Sequence, residues 1–338
     1  MARICIWGDN HWSQYSSIVR KRGLKYSLRL ENSIASLNWA EDMACRCGCD
    51  MVVCLGDFFD SSSLNAEEIT ALQEVKWNGL PKYFLVGNHE MGRSDLSFSS
   101  AHLFKYIPNS TVISQVTSMN LNDVDDIFFI PYILEENRKP LSSILSQKRG
   151  KRYIFSHNDI KGIQLGKIES KQGFTIDEIK SNCDWYFNGH IHNGSQVADR
   201  VINVGNLTGQ NFSEDAKKYS HGCIIFDTNT GECNLYENPY AFNFYKLSYG
   251  TDSLYGLKNN AVVTISVDSN DIDKCKEEMQ SIPQIVEYRL VVNSQSGQVA
   301  VVDNKSLSLD HIEEFKKYVL CNIGNSDIVQ SELNNIFS

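Results

Sequence analysis

Five of the chain's eight histidines follow closely on apolar runs. "RICIWGDNH" ends in Asp9 and His11, "MVVCLGDFFD" in Asp57 and Asp60, and "KYFLVGNHE" in Asn88, His89 and Glu90. "RYIFSHND" then supplies His157, and "WYFNGHIH" supplies His190 and His192. One such histidine is more often a hydrogen-bonded structural residue than a ligand. Five of them, with Asp9, Asp57 and Asn88, make a shared task the better account. Imidazole and carboxylate donors with one amide suit a pair of divalent first-row ions, manganese or iron more than calcium. Thiolates are absent from the set, which argues against a structural zinc cage.

These side chains need a frame that delivers them to one edge. The apolar runs predict strands buried on both faces, alternating with helices around Glu31–Cys47 and Glu67–Trp77, hence a sheet covered on both sides. Residues two apart, such as Asp9 and His11 or His190 and His192, would point the same way from an extended backbone. Glycines before Asp9, Asp57, Asn88 and His190 would permit tight turns at the rim. "GCIIFDTNTGECNLYE" reads as a hairpin around Asn229-Thr230-Gly231. The texture changes near residue 250, where "AVVTISVD", a helix at about Asp271–Gln280 and "VEYRLVVN" predict a compact β-α-β unit. Two helical segments follow, near Leu309–Leu320 and Ser326–Ile336.

Composition bounds the rest. The 338 residues allow one large domain and a smaller one. A formal charge of −9 argues against a wholly basic nucleic-acid-binding domain but leaves room for a local patch. No apolar run approaches the ~20 residues of a membrane span, and no signal-peptide core opens the chain, so a cytoplasmic location is expected. The ten cysteines are scattered without a disulfide framework. Cys45, Cys47 and Cys49 in "CRCGCD" lack paired C-x-x-C spacing, so buried or half-buried free thiols at a helix end are expected there instead of zinc.

The ordered series D-x-H, G-D-x-x-D, G-N-H-[DE], a lone H and G-H-x-H resembles the calcineurin-like metallophosphoesterases. The resemblance implies an α/β fold in which a β-sandwich is flanked by helices (αββα), with a smaller α+β capping domain after it. It implies one metal held by Asp9, His11, Asp57 and His192, and a second by Asp57, Asn88, His157 and His190, with Asp57 bridging. Manganese is the expected ion, iron or magnesium the alternatives. His89 would then face the scissile phosphate, neutralising its oxygens or protonating the leaving oxygen. Asp60 or Glu90 would orient a neighbouring imidazole.

Within that superfamily, "GDFFD" is similar to the "GDLFD" of SbcD-type DNA nuclease subunits, including the small subunits of phage recombination endonucleases. "IFFIPYI" resembles the I-P-[YW] strand of that group. "VINVGNLTGQNFSED" resembles its Y-x-G-S…F-x-E segment through Gly205, Asn206, Phe212, Ser213 and Glu214, with Asn206 in place of serine and a structural role implied. The resemblance thus implies a metal-dependent DNA exo- or endonuclease in recombination and repair. Its expected partners are DNA and an SbcC-like coiled-coil ATPase, as a homodimer within a heterotetramer, in the host cytoplasm if phage-encoded. Another phosphodiesterase or phosphatase acting on small molecules or proteins is the alternative. The domains would run 1–245 (nuclease), 250–304 (DNA-facing cap) and 305–338 (ATPase docking). A basic run, Arg20, Lys21, Arg22 and Lys25, continued by Arg29, is the candidate DNA-phosphate contact beside the metals.

Overall fold

The computed structural model describes residues 2–165, 168–293 and 300–302, so the expected docking segment 305–338 lies outside the described residues. The chain divides into two units, the first comprising Met1–Tyr245 with Leu257–Val262. Every apolar run named above forms a strand. In the first sheet the order is Cys233–Glu237, Gly222–Asp227, Arg3–Trp7, Met51–Cys54, Lys82–Leu85 and Ser110–Ile113. The strands from Arg3–Trp7 onward are mutually parallel, and the expected hairpin joins the first two. In the second sheet the order is Ser195–Ala198, Val201–Asn203, Trp185–Asn188, Arg152–Ser156, Asp126–Ile130 and Thr117–Asn120, with its four central strands parallel.

The two-residue period of a strand builds the layers. Ile4, Ile6 and Val53 face the second sheet and pack with Phe129, Phe155 and Phe187. Their neighbours Cys5, Trp7, Val52 and Cys54 face the other way, onto Leu30, Leu37, Ala40 and Ala44 of the helix Leu28–Arg46. On the far side of the second sheet, Phe128, Ile154 and Tyr186 meet Ile179 of the helix Ile176–Asn182. Each such fully buried large side chain contributes about 1.5–3 kcal/mol. The result is the helix–sheet–sheet–helix sandwich. Because the central strands run parallel, their carboxyl ends share one edge, where open α/β sheets bind ligands.

One polar pair is sealed in the first sheet's outer layer. Lys82 Nζ lies 3.2 Å from Glu41 Oε2, the two side chains being 0% and 2% exposed. The ammonium also donates to Asn78 O and Oδ1 and to Leu80 O. Truncating one partner leaves the other charge buried without compensation. Lys82→Met should therefore destabilise the fold by about 3–5 kcal/mol, read as a shift of the urea midpoint at unchanged slope.

The second unit comprises Lys246–Gly256 and Val263–Ser338. A four-stranded sheet in this part of the chain has the order Asn243–Ser248, Ala261–Asp268, Ile285–Asn293 and Ala300–Val302. The helix Ile272–Ser281 follows the second of these and buries Cys275 and Met279. Among the described residues, no helix is long and apolar enough to cross a membrane.

Candidate metal centre

The loops leaving the parallel strands are zipped to one another by backbone hydrogen bonds. Asp9 N donates to Gly56 O, His11 N to Asp57 O and Trp12 N to Phe58 O. Asp9, His11, Asp57 and His190 all have positive φ, between 47° and 72°. The extended backbone expected for Asp9–His11 and His190–His192 is therefore corrected: left-handed residues turn these side chains inward. Each costs of order 1–3 kcal/mol for a non-glycine residue and persists only where the surroundings over-determine it. The glycines act differently too. Of the four singled out, Gly56 alone takes a positive φ, and the others give room. A Cβ on Gly87 would lie 2.1 Å from Asp57 Oδ1.

The predicted ligands converge. Asp9, His11 and His192 bring one ligand atom each to within 4.8 Å of one another, and so do Asp57, His157 and His190. Asn88 Oδ1 lies 3.2 Å from His157 Nε2 and 2.9 Å from His190 Nδ1, which joins it to the second group. His89 meets His11 and Asp57 in a third grouping, its ring set edge-on to His11 at 4.6 Å between centroids. It differs from the ligands in being 42% exposed. Its Nδ1 is 3.3 Å from Asp60 O, and its backbone N donates to Asp57 Oδ1.

The donor chemistry fits bound cations. A neutral imidazole has one N–H, and three of the four ligand rings have a fixed acceptor for it at Nδ1. His11 Nδ1 faces Asp60 Oδ1 at 3.0 Å, His192 Nδ1 faces Glu214 Oε1 at 2.8 Å, and His157 Nδ1 faces Leu55 O at 2.7 Å. His11 Nε2 and His192 Nε2 are then two lone pairs aimed at each other across 3.0 Å, beside the buried Asp9. Two lone pairs repel, and a shared cation relieves them. Burial opposes ionisation of Asp57, yet His157 and the neighbouring imidazoles hold its carboxyl far below the usual range. Burial likewise opposes a charge on His157, but Asp57 at 3.1 Å pulls it up to about 9. The pocket asks for positive charge at that nitrogen.

Three side chains, Glu90, Asp159 and Tyr132, have roles that the sequence did not assign correctly or at all. Glu90 orients no imidazole; its buried carboxylate accepts from Phe58 N, Phe59 N and Gly87 N, clamping two ligand loops together. Burial and then the charge of Asp57 push its carboxyl up to about 8. Asp60 is the residue that orients His11. Asp159, two residues past His157, lies 3.4 Å from His190 Nε2, and its place in "SHND" was the available signal. Tyr132 of the "IPY" stretch sets its ring beside His190 and His157.

Arg22 pairs with Glu67 at 2.8 Å and Lys25 with Glu74 at 2.5 Å. Arg29 is half-buried and donates to His11 O, making it a support of the ligand loop. Arg20, Lys21, Arg22 and Lys25 are all exposed, and Arg20 Nε donates to Ser17 O. At the end of the helix Leu28–Arg46, Cys47 is half-buried and Cys49 buried as expected, whereas Cys45 is exposed, on the solvent side of the helix's last turn.

The family model for calcineurin-like phosphoesterases matches residues 2–194, more than half of the chain. "Putative phosphoesterase 244L" of Invertebrate iridescent virus 6 is 23% identical over 159 residues, 46% of this chain and 55% of that protein. The match thus spans about half the length of that relative. Among solved structures, an archaeal phosphodiesterase is 15% identical with a TM-score of 0.36, covering 70% of this chain and 99% of its own. A dimetal phosphatase from Danio rerio is 14% identical with a TM-score of 0.40, covering 66% and 91% respectively. With the family's ordered ligands gathered at one sandwich edge and its model matched over most of the first unit, the chain belongs to the calcineurin-like phosphoesterases, hydrolases of phosphoester bonds with a dimetal centre.

Proposed function

We propose that this phosphoesterase is a metal-dependent DNA nuclease of the SbcD type. The observation that carries the reading is where its subtype stretches fall. Tyr132 of "IFFIPYI" lines the His157–His190 side, and Glu214 of "VINVGNLTGQNFSED" holds His192. Asp60 of "GDFFD" holds His11. The stretches that resemble the nuclease group thus touch the reacting centre.

Asp9, His11, Asp57 and His192 would hold one ion, and Asp57, Asn88, His157 and His190 the other, manganese being the expected metal. Two such ions supply Lewis acidity, an activated water and charge neutralisation for an in-line displacement at phosphorus. The chain's own residues do the remainder. Asp60, Asp159, Glu214 and Leu55 O fix the ligand rings. Glu90 locks the loops of Asp57 and Asn88 in register. His89, anchored through Nδ1 at Asp60 O, leaves Nε2 to meet a phosphoryl oxygen or give a proton to the departing sugar oxygen. Exposed Arg20, Lys21, Arg22 and Lys25 are assigned to DNA phosphates, residues 250–304 to a DNA-facing cap, and 305–338 to an SbcC-like ATPase in a two-plus-two assembly.

The test is to incubate the chain with manganese and linear duplex DNA, single-stranded DNA or a chromogenic phosphodiester. DNA cleavage, lost on chelation and exceeding turnover of the small diester at equal phosphate, is expected. Turnover of the small diester with intact DNA would move the protein to the small-molecule phosphodiesterases.

A further inference from the structure

The segment Gly205–Glu214, which the resemblance casts as structural, ends on a side chain with more to do. Glu214 is completely buried, and four N–H groups converge on it. Oε1 accepts from Asn211 Nδ2 at 2.9 Å and faces His192 Nδ1 at 2.8 Å. Oε2 accepts from Asn206 Nδ2 at 2.9 Å and from Gln210 N at 2.6 Å. Asn206, the departure from the group's serine, is thus one of the anchors. The loop is tied in turn to the ligand strand ends, since Asn206 N donates to His192 O and Gln210 Nε2 to Asn10 O.

A buried carboxylate pinned by three donors besides the imidazole cannot follow that imidazole; the imidazole must follow it. By contrast Asp60, the partner of His11, is 38% exposed. We infer that Glu214 is the positioning residue of the His192 site: it fixes the ring so that Nε2 faces His11 Nε2, and thereby sets the affinity of one ion position and not the other. This rests on the dimetal reading above. Its physical basis is general: a carboxylate on the far nitrogen of a ligating histidine fixes tautomer and ring plane, and its loss typically weakens metal binding 10–100-fold.

The experiment combines manganese binding by calorimetry with nitrogen NMR of the histidine rings in the full chain. Glu214→Gln should weaken one of two ions about 10–100-fold, leave the other at wild-type affinity, and release His192 from its single Nδ1–H form. In a His192→Ala background, adding Glu214→Gln should change the remaining ion's affinity by less than about twofold, because residues acting through one another are non-additive. Glu214→Asp keeps the charge but withdraws it by one methylene; it serves if the amide variant fails to fold, and should show the same one-site loss. Equal weakening of both ions, additive losses in the double variant, or an unchanged His192 ring would overturn the inference. A wild-type chain that binds no manganese would instead strike at the dimetal reading, with the NMR readout still deciding whether Glu214 holds His192.

Discussion

Asp57→Ala should bind neither metal ion and show no hydrolysis, the largest effect expected from any single substitution in the molecule. Asp57 belongs to two of the three groupings, with His11 and His89 in one and with His157 and His190 in the other. Its side chain is 2% exposed. It is also structural to the loops: Oδ1 accepts from His89 N, and Asp57 itself is held at φ 47°. Asp57→Asn is the companion variant, keeping an acceptor for His89 N while removing the charge. Manganese affinity at both positions should drop by at least ~100-fold in either variant, beyond the 10–100-fold typical of losing an outer partner. Retention of one ion at wild-type affinity would show that Asp57 does not bridge.

His89→Ala should do the converse: both ions stay, while cleavage falls by about 10²–10⁴-fold, the range for a lost proton donor or acceptor in the transition state. The reasoning is positional. His89 is the exposed member of the constellation, while the ligand rings lie deeper and have carboxylate or carbonyl partners. Calorimetry and turnover on the same sample separate the two roles. Cleavage at the wild-type rate removes His89 from the mechanism, and loss of an ion would make it a ligand.

Much of the frame was legible because it rests on local patterns. A strand buried on both faces must be apolar throughout, and "MVVCLGD" or "WYFNGHIH" announces both the strand and its polar end. The parallel sandwich then carries every such end to one edge. The conformation of that edge was not legible. Nothing in "GDNH" says that Asp9 and His11 would be left-handed, because the pairing of two loops, distant in sequence, imposes it. Glu90 illustrates the same limit. Next to His89 it reads as an imidazole partner, but its carboxylate is satisfied by three backbone N–H groups of converging loops, a purely tertiary fact. Glu214 lies 22 residues past His192 and meets it only through the fold. The pairing within the basic run was not legible either: Arg22 and Lys25 meet Glu67 on the neighbouring helix Ala66–Leu72 and Glu74 just past it. Sequence spacing cannot show such pairing.

The most direct test of the dimetal account is anomalous diffraction from crystals of the wild-type chain soaked in manganese. Two peaks are predicted, roughly 3.5–4 Å apart as in other two-metal hydrolases. One should lie among Asp9, His11 and His192, the other among Asn88, His157 and His190, with Asp57 reaching both. A single peak, peaks outside this constellation, or two peaks without Asp57 between them would contradict it.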